Sequence, residues 1–395
     1  MNYLSPLVIK LSLASFKINS LKRVLFIYAL FSLLSSTHAS SLKETFIRKF
    51  KIGVAINNQA QLSPSNKVPY SLIQKQFNSL VAENQMKWKS INPKPGIYKF
   101  DKVDALIEFA EKNQMQVVGH VLFWHNQTPA WVFQDDQGKT ISKAALLKRM
   151  RLHIRTLHQR YGDKIQVWDV VNEALEEDGS MRKSPWSEIL GPDWVSQAFK
   201  IAQEELPPST QLIYNDYGLY HKKKLNGLST LIKSLQDQNI RIDAIGVQGH
   251  WSLKHPSLGD IDRLFTTIEN RGLKIHISEL DVDVLPRPKK FSGGAETNEH
   301  HDYLKKLDPF RSGLPEKNQI ELAQRYSSLF KLFLNHSESI QRVTFWGLND
   351  AVSWKNNFPV PKRVNYPLLF NRNLKPKKAY FQVIDSIKPT LTKNP

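Results

Sequence analysis

The sequence predicts an α/β protein built as a single (β/α)8 TIM barrel, and three observations support this prediction. Eight short segments rich in valine and isoleucine recur along the chain, and longer segments with apolar residues three and four apart lie between them. No GxGxxG turn follows the first predicted strand, which disfavours an open dinucleotide-binding sheet. The length of 395 residues also fits, because such barrels take about 250 residues and exceed 400 with insertions.

The predicted strands are each too short for a typical helix. They span residues 50–56, 79–84, 116–122, 167–173, 211–216, 244–250, 274–280 and 342–347. The amphipathic helices predicted between them span residues 101–113, 143–161, 193–206, 261–272 and 318–336.

A long loop is predicted at residues 286–315, which hold four prolines and three glycines without a clear period. This loop follows the seventh strand, on the face where such barrels place their active sites. The sequence contains no linker and no internal repeat, so we expect residues 40–395 to form one catalytic barrel.

Residues 1–39 are predicted to be a signal peptide. They contain four basic residues and no acidic one, followed by an uncharged apolar run at 24–34 and by small residues that fit cleavage after Ala39. An uncleaved membrane anchor is the alternative, but a span needs about 20 apolar residues. We therefore expect a secreted or periplasmic protein with no membrane contact after cleavage.

Composition excludes several classes of function. The chain has no cysteine, so disulfides, thiolate metal sites and cysteine nucleophiles are impossible. The formal charge of +19 falls to +15 without the leader, an excess typical of proteins that bind nucleic acid or an acidic polymer. We expect no nucleic-acid partner, because the sequence shows no arginine-rich tract, recognition-helix pattern or zinc ligand set. We expect a monomer.

Polar and aromatic residues stand at or just beyond the carboxyl ends of the predicted strands. Unpaired buried polar groups cost about 1–3 kcal/mol each, so packing alone explains this pattern poorly. We therefore predict an active site at this end of the barrel. The candidates are Glu83, Asn84, Lys87, His120, Trp124, Gln127, Asn172, Glu173, Tyr217, Gln248, His250, Glu279, Asp281, Trp346 and Trp354.

Glu173 and Glu279 are the candidates for acid/base and nucleophilic chemistry. They end the fourth and seventh strands, which face each other across an eight-stranded barrel, so their side chains can converge on a bound chain. Two carboxyl groups about 5–5.5 Å apart hydrolyse glycosidic bonds with retention, and a separation of about 6.5–9.5 Å gives inversion. The sequence leaves this choice open, and two structural glutamates in ion pairs are the alternative.

Asp281 lies two residues beyond Glu279 and hence on the same side of the strand. With His250 it can form a relay that keeps Glu279 ionised. Trp124, Trp346 and Trp354 are candidates for stacking on sugar rings.

A metal site is an alternative role for the histidines. His120, His125, His250, His300 and His301 are potential ligands, but the chain has no HExxH motif and no His-x-His on the first strand. We expect neither a metal nor another cofactor.

The chain resembles the family 10 glycoside hydrolases, which are endo-β-1,4-xylanases. The resemblance spans residues 50–385 and rests on AENQMKW (82–88), GHVLFWHNQTPAW (119–131), VWDVVNEA (167–174), DGSMRKSPW (178–186), YNDYG (214–218), GVQGHW (246–251), HISELDV (276–282) and TFWGLNDAVSW (344–354).

The resemblance implies a retaining mechanism with Glu173 as acid/base and Glu279 as nucleophile, and no cofactor. It also implies roles for the other candidates. Lys87, His120, Asn172, Gln248, His250, Trp346 and Trp354 would line the −1 subsite; Glu83, Asn84 and Trp124 would serve −2; Tyr217 would face +1. The implied partners are xylan and xylo-oligosaccharides, with acidic glucuronoxylan left open.

Two other functions remain to be separated by assay. A β-mannanase or cellulase is disfavoured by the GHxLxWH and GxQxH motifs. A non-catalytic xylan-binding barrel is disfavoured because both glutamates are present.

Overall fold

A computed structural model describes residues 41–287 and 305–388. The predicted leader and residues 288–304 of the predicted 286–315 loop lie outside the described residues. Eight parallel strands form the barrel: β1 (Lys51–Ile56), β2 (Ser79–Ala82), β3 (Gln116–Gly119), β4 (Val167–Asn172), β5 (Gln211–Asp216), β6 (Ala244–Val247), β7 (Lys274–Asp283) and β8 (Ile340–Phe345). The predicted (β/α)8 fold is confirmed.

The sheet closes because its first and last strands pair. Lys51 of β1 lies beside Arg342 of β8, and Gly53 of β1 lies beside Ser79 of β2. Two shorter strands, Phe123–Trp124 and His250–Ser252, extend the sheet above β4 and β7. Closure brings the carboxyl ends of all eight strands to one rim.

One helix follows each barrel strand. These helices are α1 (Lys67–Gln76), α2 (Asp101–Lys112), α3 (Lys143–Tyr161), α4 (Trp194–Glu205), α5 (Lys222–Asp237), α6 (Leu258–Glu269), α7 (Glu316–Asn335) and α8 (Lys378–Asp385). Shorter helices span Leu42–Thr45, Trp88–Ile91 and Pro185–Leu190. Within the described ranges, no helix is long and apolar enough to cross a membrane.

The side chains of the strands alternate between two buried layers. The larger layer packs between the strands and the helices, whereas small and branched residues such as Ala55, Val81, Val118 and Ala244 fill the barrel interior. Trp346 lies over this inner layer and is packed by Trp354. The inner layer therefore forms the floor beneath the strand ends.

Three of the eight barrel helices, α1, α5 and α8, were not predicted. In α5, Asn226 and Gly227 interrupt an otherwise amphipathic pattern. Gly227 is required there because a Cβ would lie 2.2 Å from the carbonyl oxygen of Gly179, in the loop after β4. This close approach fixes α5 against the loop that begins at Glu173.

Candidate active site

A cleft of about 310 Å³ opens at the carboxyl ends of the strands. It is lined by thirteen of the fifteen predicted residues, together with Asn126 and Phe358, which the sequence reasoning missed. The two predicted residues outside the lining are Asp281 and Tyr217. Asn126 lies beside the predicted Gln127, and Phe358 lies four residues beyond Trp354, so only their neighbours in sequence hinted at them.

Glu173 follows β4 with a backbone φ of +56°, in the left-handed region that few non-glycine residues adopt. Trp124 Nε1 donates to Glu173 Oε2 over 3.0 Å, and Gln248 Nε2 donates to Glu173 Oε1 over 2.8 Å. Both donors are neutral. The carboxyl group is thus held in one orientation, and within the described ranges it forms no ion pair with a lysine, arginine or histidine.

Arg182 fixes the backbone on which Glu173 sits. Its Nε donates to the Glu173 carbonyl oxygen over 3.0 Å, and its Nη2 donates to the Leu175 carbonyl oxygen over 3.1 Å. The same nitrogen donates to the Tyr217 hydroxyl over 3.0 Å, and Nη1 lies 3.2 Å from Glu176 Oε2. This buried guanidinium therefore joins four points of the loop and of the end of β5.

Glu279 has a different environment, with cations around a buried carboxylate. Asn215 Nδ2 donates to its Oε1 over 2.8 Å, and His250 Nε2 lies 3.2 Å from its Oε2. Burial raises the pKa of Glu279, but the hydrogen bond from His250 and the charges of His120, His250 and Lys87 outweigh it. The net result is a lowered pKa, so Glu279 is ionised.

His250 links Glu279 to Asp281, as the spacing of the two acids suggested. His250 Nδ1 lies 2.9 Å from Asp281 Oδ2, which also accepts a hydrogen bond from Trp354 Nε1 over 2.8 Å. Burial lowers the pKa of His250, but the charge and hydrogen bond of Asp281 reverse this effect and raise it. The relay is built by strand pairing, because His250 lies directly beside Asp281 in the sheet.

Three buried amides connect the two glutamates. Asn215 Nδ2, which donates to Glu279, also donates to Asn172 Oδ1 over 2.9 Å. Gln248 Nε2, which donates to Glu173, lies 3.2 Å from the same Asn172 oxygen. Asn215 itself is oriented by Ser278, whose hydroxyl donates to Asn215 Oδ1 over 2.6 Å. The relative position of the two carboxyl groups therefore depends on this amide chain.

One side of the cleft carries a second acidic and basic group. Lys87 Nζ donates to Asn84 Oδ1 over 2.9 Å, and Asn84 Nδ2 donates to Glu83 Oε1 over 3.3 Å. Burial raises the pKa of Glu83 to about 7, although the charge of Lys87 opposes the shift. Gln127 Nε2 also approaches Asn84 Oδ1, at 3.4 Å. These side chains present donors and acceptors suited to hydroxyl groups.

Aromatic rings form the remaining walls. His120 packs edge-on against Trp346 with ring centroids 5.3 Å apart, and its Nδ1 lies 2.8 Å from Asp169 Oδ2 in the barrel interior. Trp354 stacks on Phe358 with centroids 5.4 Å apart. Such apolar faces beside polar groups match the two kinds of surface on a sugar ring.

Tyr217 is placed differently from the other candidates. It is buried, its hydroxyl accepts from Arg182, and Lys224 Nζ lies 3.7 Å from the centre of its ring. It does not line the cleft. Its sugar-binding role therefore stays a prediction, and its visible contacts support the loop after β4.

The cleft lies at the carboxyl ends of the barrel strands and combines two buried carboxyl groups with aromatic walls. This combination defines a glycoside hydrolase. A family model for glycosyl hydrolase family 10 matches residues 41–386. The chain belongs to this family.

The relatives agree with this assignment over nearly their whole length. The chain is 39% identical over 344 residues to the endo-1,4-beta-xylanase A of Xylanibacter ruminicola, covering 87% of this chain and 92% of that protein. It is also 39% identical over 347 residues to the endo-1,4-beta-xylanase of Geobacillus stearothermophilus, covering 87% and 98%. A solved GH10 endoxylanase from a sugarcane soil metagenome superposes with a TM-score of 0.84 at 41% identity, covering 87% and 99%.

Proposed function

We propose that this protein is an endo-1,4-β-xylanase that cuts internal bonds of xylan with retention of configuration, using Glu279 as nucleophile and Glu173 as acid/base. The observation that carries the assignment of roles is the asymmetry between the two carboxyl groups. Glu279 is surrounded by His250, His120 and Lys87, which keep it ionised. Glu173 is held by the neutral donors Trp124 and Gln248.

In the first step, a Glu279 oxygen attacks the anomeric carbon while Glu173 gives a proton to the departing glycosidic oxygen. The bond between this carbon and the leaving oxygen breaks, and a glycosyl ester with Glu279 forms. In the second step, Glu173 takes a proton from a water molecule that attacks the same carbon. The ester breaks, and both carboxyl groups return to their starting states.

The substrate assignment is supported by the relatives. The two curated relatives described above are endo-1,4-beta-xylanases, and a mutant protein solved in complex with xylotriose has a TM-score of 0.78 and 36% identity over 87% of this chain. In this proposal, Glu83, Asn84 and Trp124 bind the −2 sugar, and Asn172 binds the 2-hydroxyl of the −1 sugar.

The test is a comparison of polymers. Reducing-sugar release is expected from xylan and not from mannan or carboxymethyl-cellulose, and NMR of the first product should show the β-anomer. An initial α-anomer contradicts retention, and activity on mannan or cellulose alone contradicts the substrate. Glu279→Ala should abolish turnover and keep xylo-oligosaccharide binding, because no glycosyl ester can form. Near-normal turnover in that variant overturns the role of Glu279.

Export and a monomeric state complete the proposal. The basic start and apolar run of residues 1–39 support an exported protein cleaved after Ala39. Sequencing the amino terminus of protein recovered outside the cytoplasm tests the site, and light scattering tests the mass. A start well before residue 40 contradicts the cleavage, and a doubled mass contradicts the monomer.

A further inference from the structure

A second cavity adjoins the cleft on the side of Asn84. We name it the lysine groove, and its lining includes Asn84, which also lines the cleft, with Asn57, Gln85, Lys89, Lys99 and Lys102. Its volume of about 590 Å³ exceeds that of the cleft itself. A chain bound at Asn84 in the cleft therefore has room to continue into the groove.

The lysine groove carries more positive than negative charge. Lys89, Lys99 and Lys102 are exposed, and none forms an ion pair with another residue in the described part of the chain. Asp101 is the single carboxylate in the described lining. Three ammonium groups against one carboxylate thus leave this part of the surface with a local positive charge.

The position of the groove beside the cleft is fixed by the backbone. The amide of Lys89 donates to the carbonyl oxygen of Gln127, a cleft residue, over 2.9 Å, and the amide of Lys99 donates to the Ile91 carbonyl oxygen over 2.8 Å. The short helix that carries Lys89 is therefore tied to the wall of the cleft, and the segment that carries Lys99 is tied to the end of the same helix.

The rest of the lining suits a sugar chain. Gln85 Nε2 donates to the Asn57 carbonyl oxygen over 2.8 Å, and Asn57 Nδ2 donates to the Val352 carbonyl oxygen over 2.9 Å. Asn57, Asn84 and Gln85 thus give this wall amide groups, which can exchange hydrogen bonds with sugar hydroxyls.

We infer that the lysine groove binds a carboxylate-bearing branch of xylan, a uronic acid, on the side of the cleft where Glu83 and Asn84 lie. This inference rests on the proposed xylanase function. Three flexible ammonium groups provide point charges for a carboxylate whose position varies with the branch. The amides bind the neutral hydroxyls of the same chain. The groove thus selects acidic xylan by contact rather than by the overall charge of the protein.

The test compares two substrates that differ in charge alone. One is glucuronoxylan, and the other is the same polymer after reduction of its carboxyl groups, which keeps the branches but makes them neutral. The measured quantity is the ratio of kcat/KM on the acidic polymer to kcat/KM on the reduced one, so a general loss of activity cancels.

The variant K89A/K99A/K102A should lower this ratio about three- to tenfold, because exposed ion pairs are individually weak. The matched control is K112A/K200A/K331A, which removes three exposed lysines from α2, α4 and α7 without an ion pair in the described structure. It changes the net charge equally and should leave the ratio as in the wild type.

An unchanged ratio in the groove variant overturns the inference, and so does an equal fall in both variants, which would assign the effect to overall charge. A wild-type protein that is inactive on both polymers overturns the proposed function, and the groove assignment with it. If the wild-type protein is active on both polymers but the groove variant and the control variant have the same kcat/KM ratio, only the assignment of the lysine groove is overturned.

Discussion

Replacing Arg182 by lysine tests whether the loop after β4 positions the acid/base. The guanidinium donates to the carbonyl oxygens of Glu173 and Leu175 and to the Tyr217 hydroxyl, and it lies beside Glu176. A lysine keeps the charge but has no planar fork, so it cannot reach both carbonyl oxygens at once. The variant therefore loosens the backbone that carries Glu173, the proposed general acid.

The size of the effect follows from the hydrogen bonds that lysine cannot make. It leaves one or two carbonyl oxygens without their charged donor, and each unpaired oxygen costs about 1–3 kcal/mol. We expect the free energy of unfolding of Arg182→Lys to fall by about 2–4 kcal/mol. A substitution away from the reacting bond can still slow catalysis about 100-fold if it displaces the Glu173 carboxyl group by about 1 Å.

The assay measures kcat/KM on aryl xylobiosides whose leaving groups differ in pKa. Poor leaving groups need the proton from Glu173 and activated ones do not, so the variant should show a steeper dependence on leaving-group pKa. A purely structural role lowers all rates together.

Arg241→Lys is the matched control. Arg241 also donates to two backbone carbonyl oxygens, of Pro208 over 2.6 Å and Thr210 over 3.0 Å, but at the amino-terminal side of the barrel. It should lose stability and keep the wild-type leaving-group dependence. If Arg182→Lys slows good and poor leaving groups equally, the positioning argument is refuted.

Three further predictions concern carboxyl groups in or next to the cleft. Glu173→Ala should lower kcat/KM far more for substrates with poor leaving groups than for substrates with activated ones. Added azide should restore turnover and give a product of retained configuration. An equal loss on both kinds of substrate contradicts the role of Glu173 as proton donor. Asp281→Asn removes the charge that raises the pKa of His250, so the pKa of Glu279 should rise and the acidic limb of the kcat/KM profile should move about one unit to higher pH. A limb that stays in place argues against the relay. Burial raises the pKa of Glu83 from 4.5 to about 7, so the folded protein holds a proton that the unfolded chain releases, and wild-type stability falls as the pH rises through this range. In urea unfolding, the stability of Glu83→Gln relative to wild type should therefore grow between these pH values, and a constant difference contradicts the raised pKa.

The strands were predictable because parallel barrel strands are buried on both sides and read as continuous apolar runs. The helices were harder to predict from the sequence, because each helix needs only a narrow apolar face. In α1 only Pro69, Ile73 and Gln76 are buried, and in α8 only Ala379, Tyr380 and Val383. Patterns this sparse do not stand out from loop sequence.

Most of the cleft residues were predictable because β-strand geometry brings strand-end side chains to one rim. The supporting residues were not, because their contacts join segments distant in sequence. Asp169, on the neighbouring strand β4, contacts the ring of His120. Arg182 supports the loop after β4, whose path depends on the contact between Gly179 and Gly227. Tyr217 shows the limit clearly, since a residue next to a strand end can turn away from the cleft.

The overall charge of +15 expected for the mature chain hides an uneven distribution that bears on substrate choice. The cleft lining contains three carboxyl groups, Glu83, Glu173 and Glu279, and the single lysine Lys87, whereas the adjoining lysine groove contains three lysines and one aspartate. A uronic acid branch is therefore favoured in the lysine groove, a short distance along the chain from the reacting bond. At physiological salt, charges interact over only about 8 Å. The charges next to a bound xylan chain therefore matter more than the net charge of the protein. An acidic branch in the groove would thus fix which bond of the xylan backbone lies between Glu173 and Glu279.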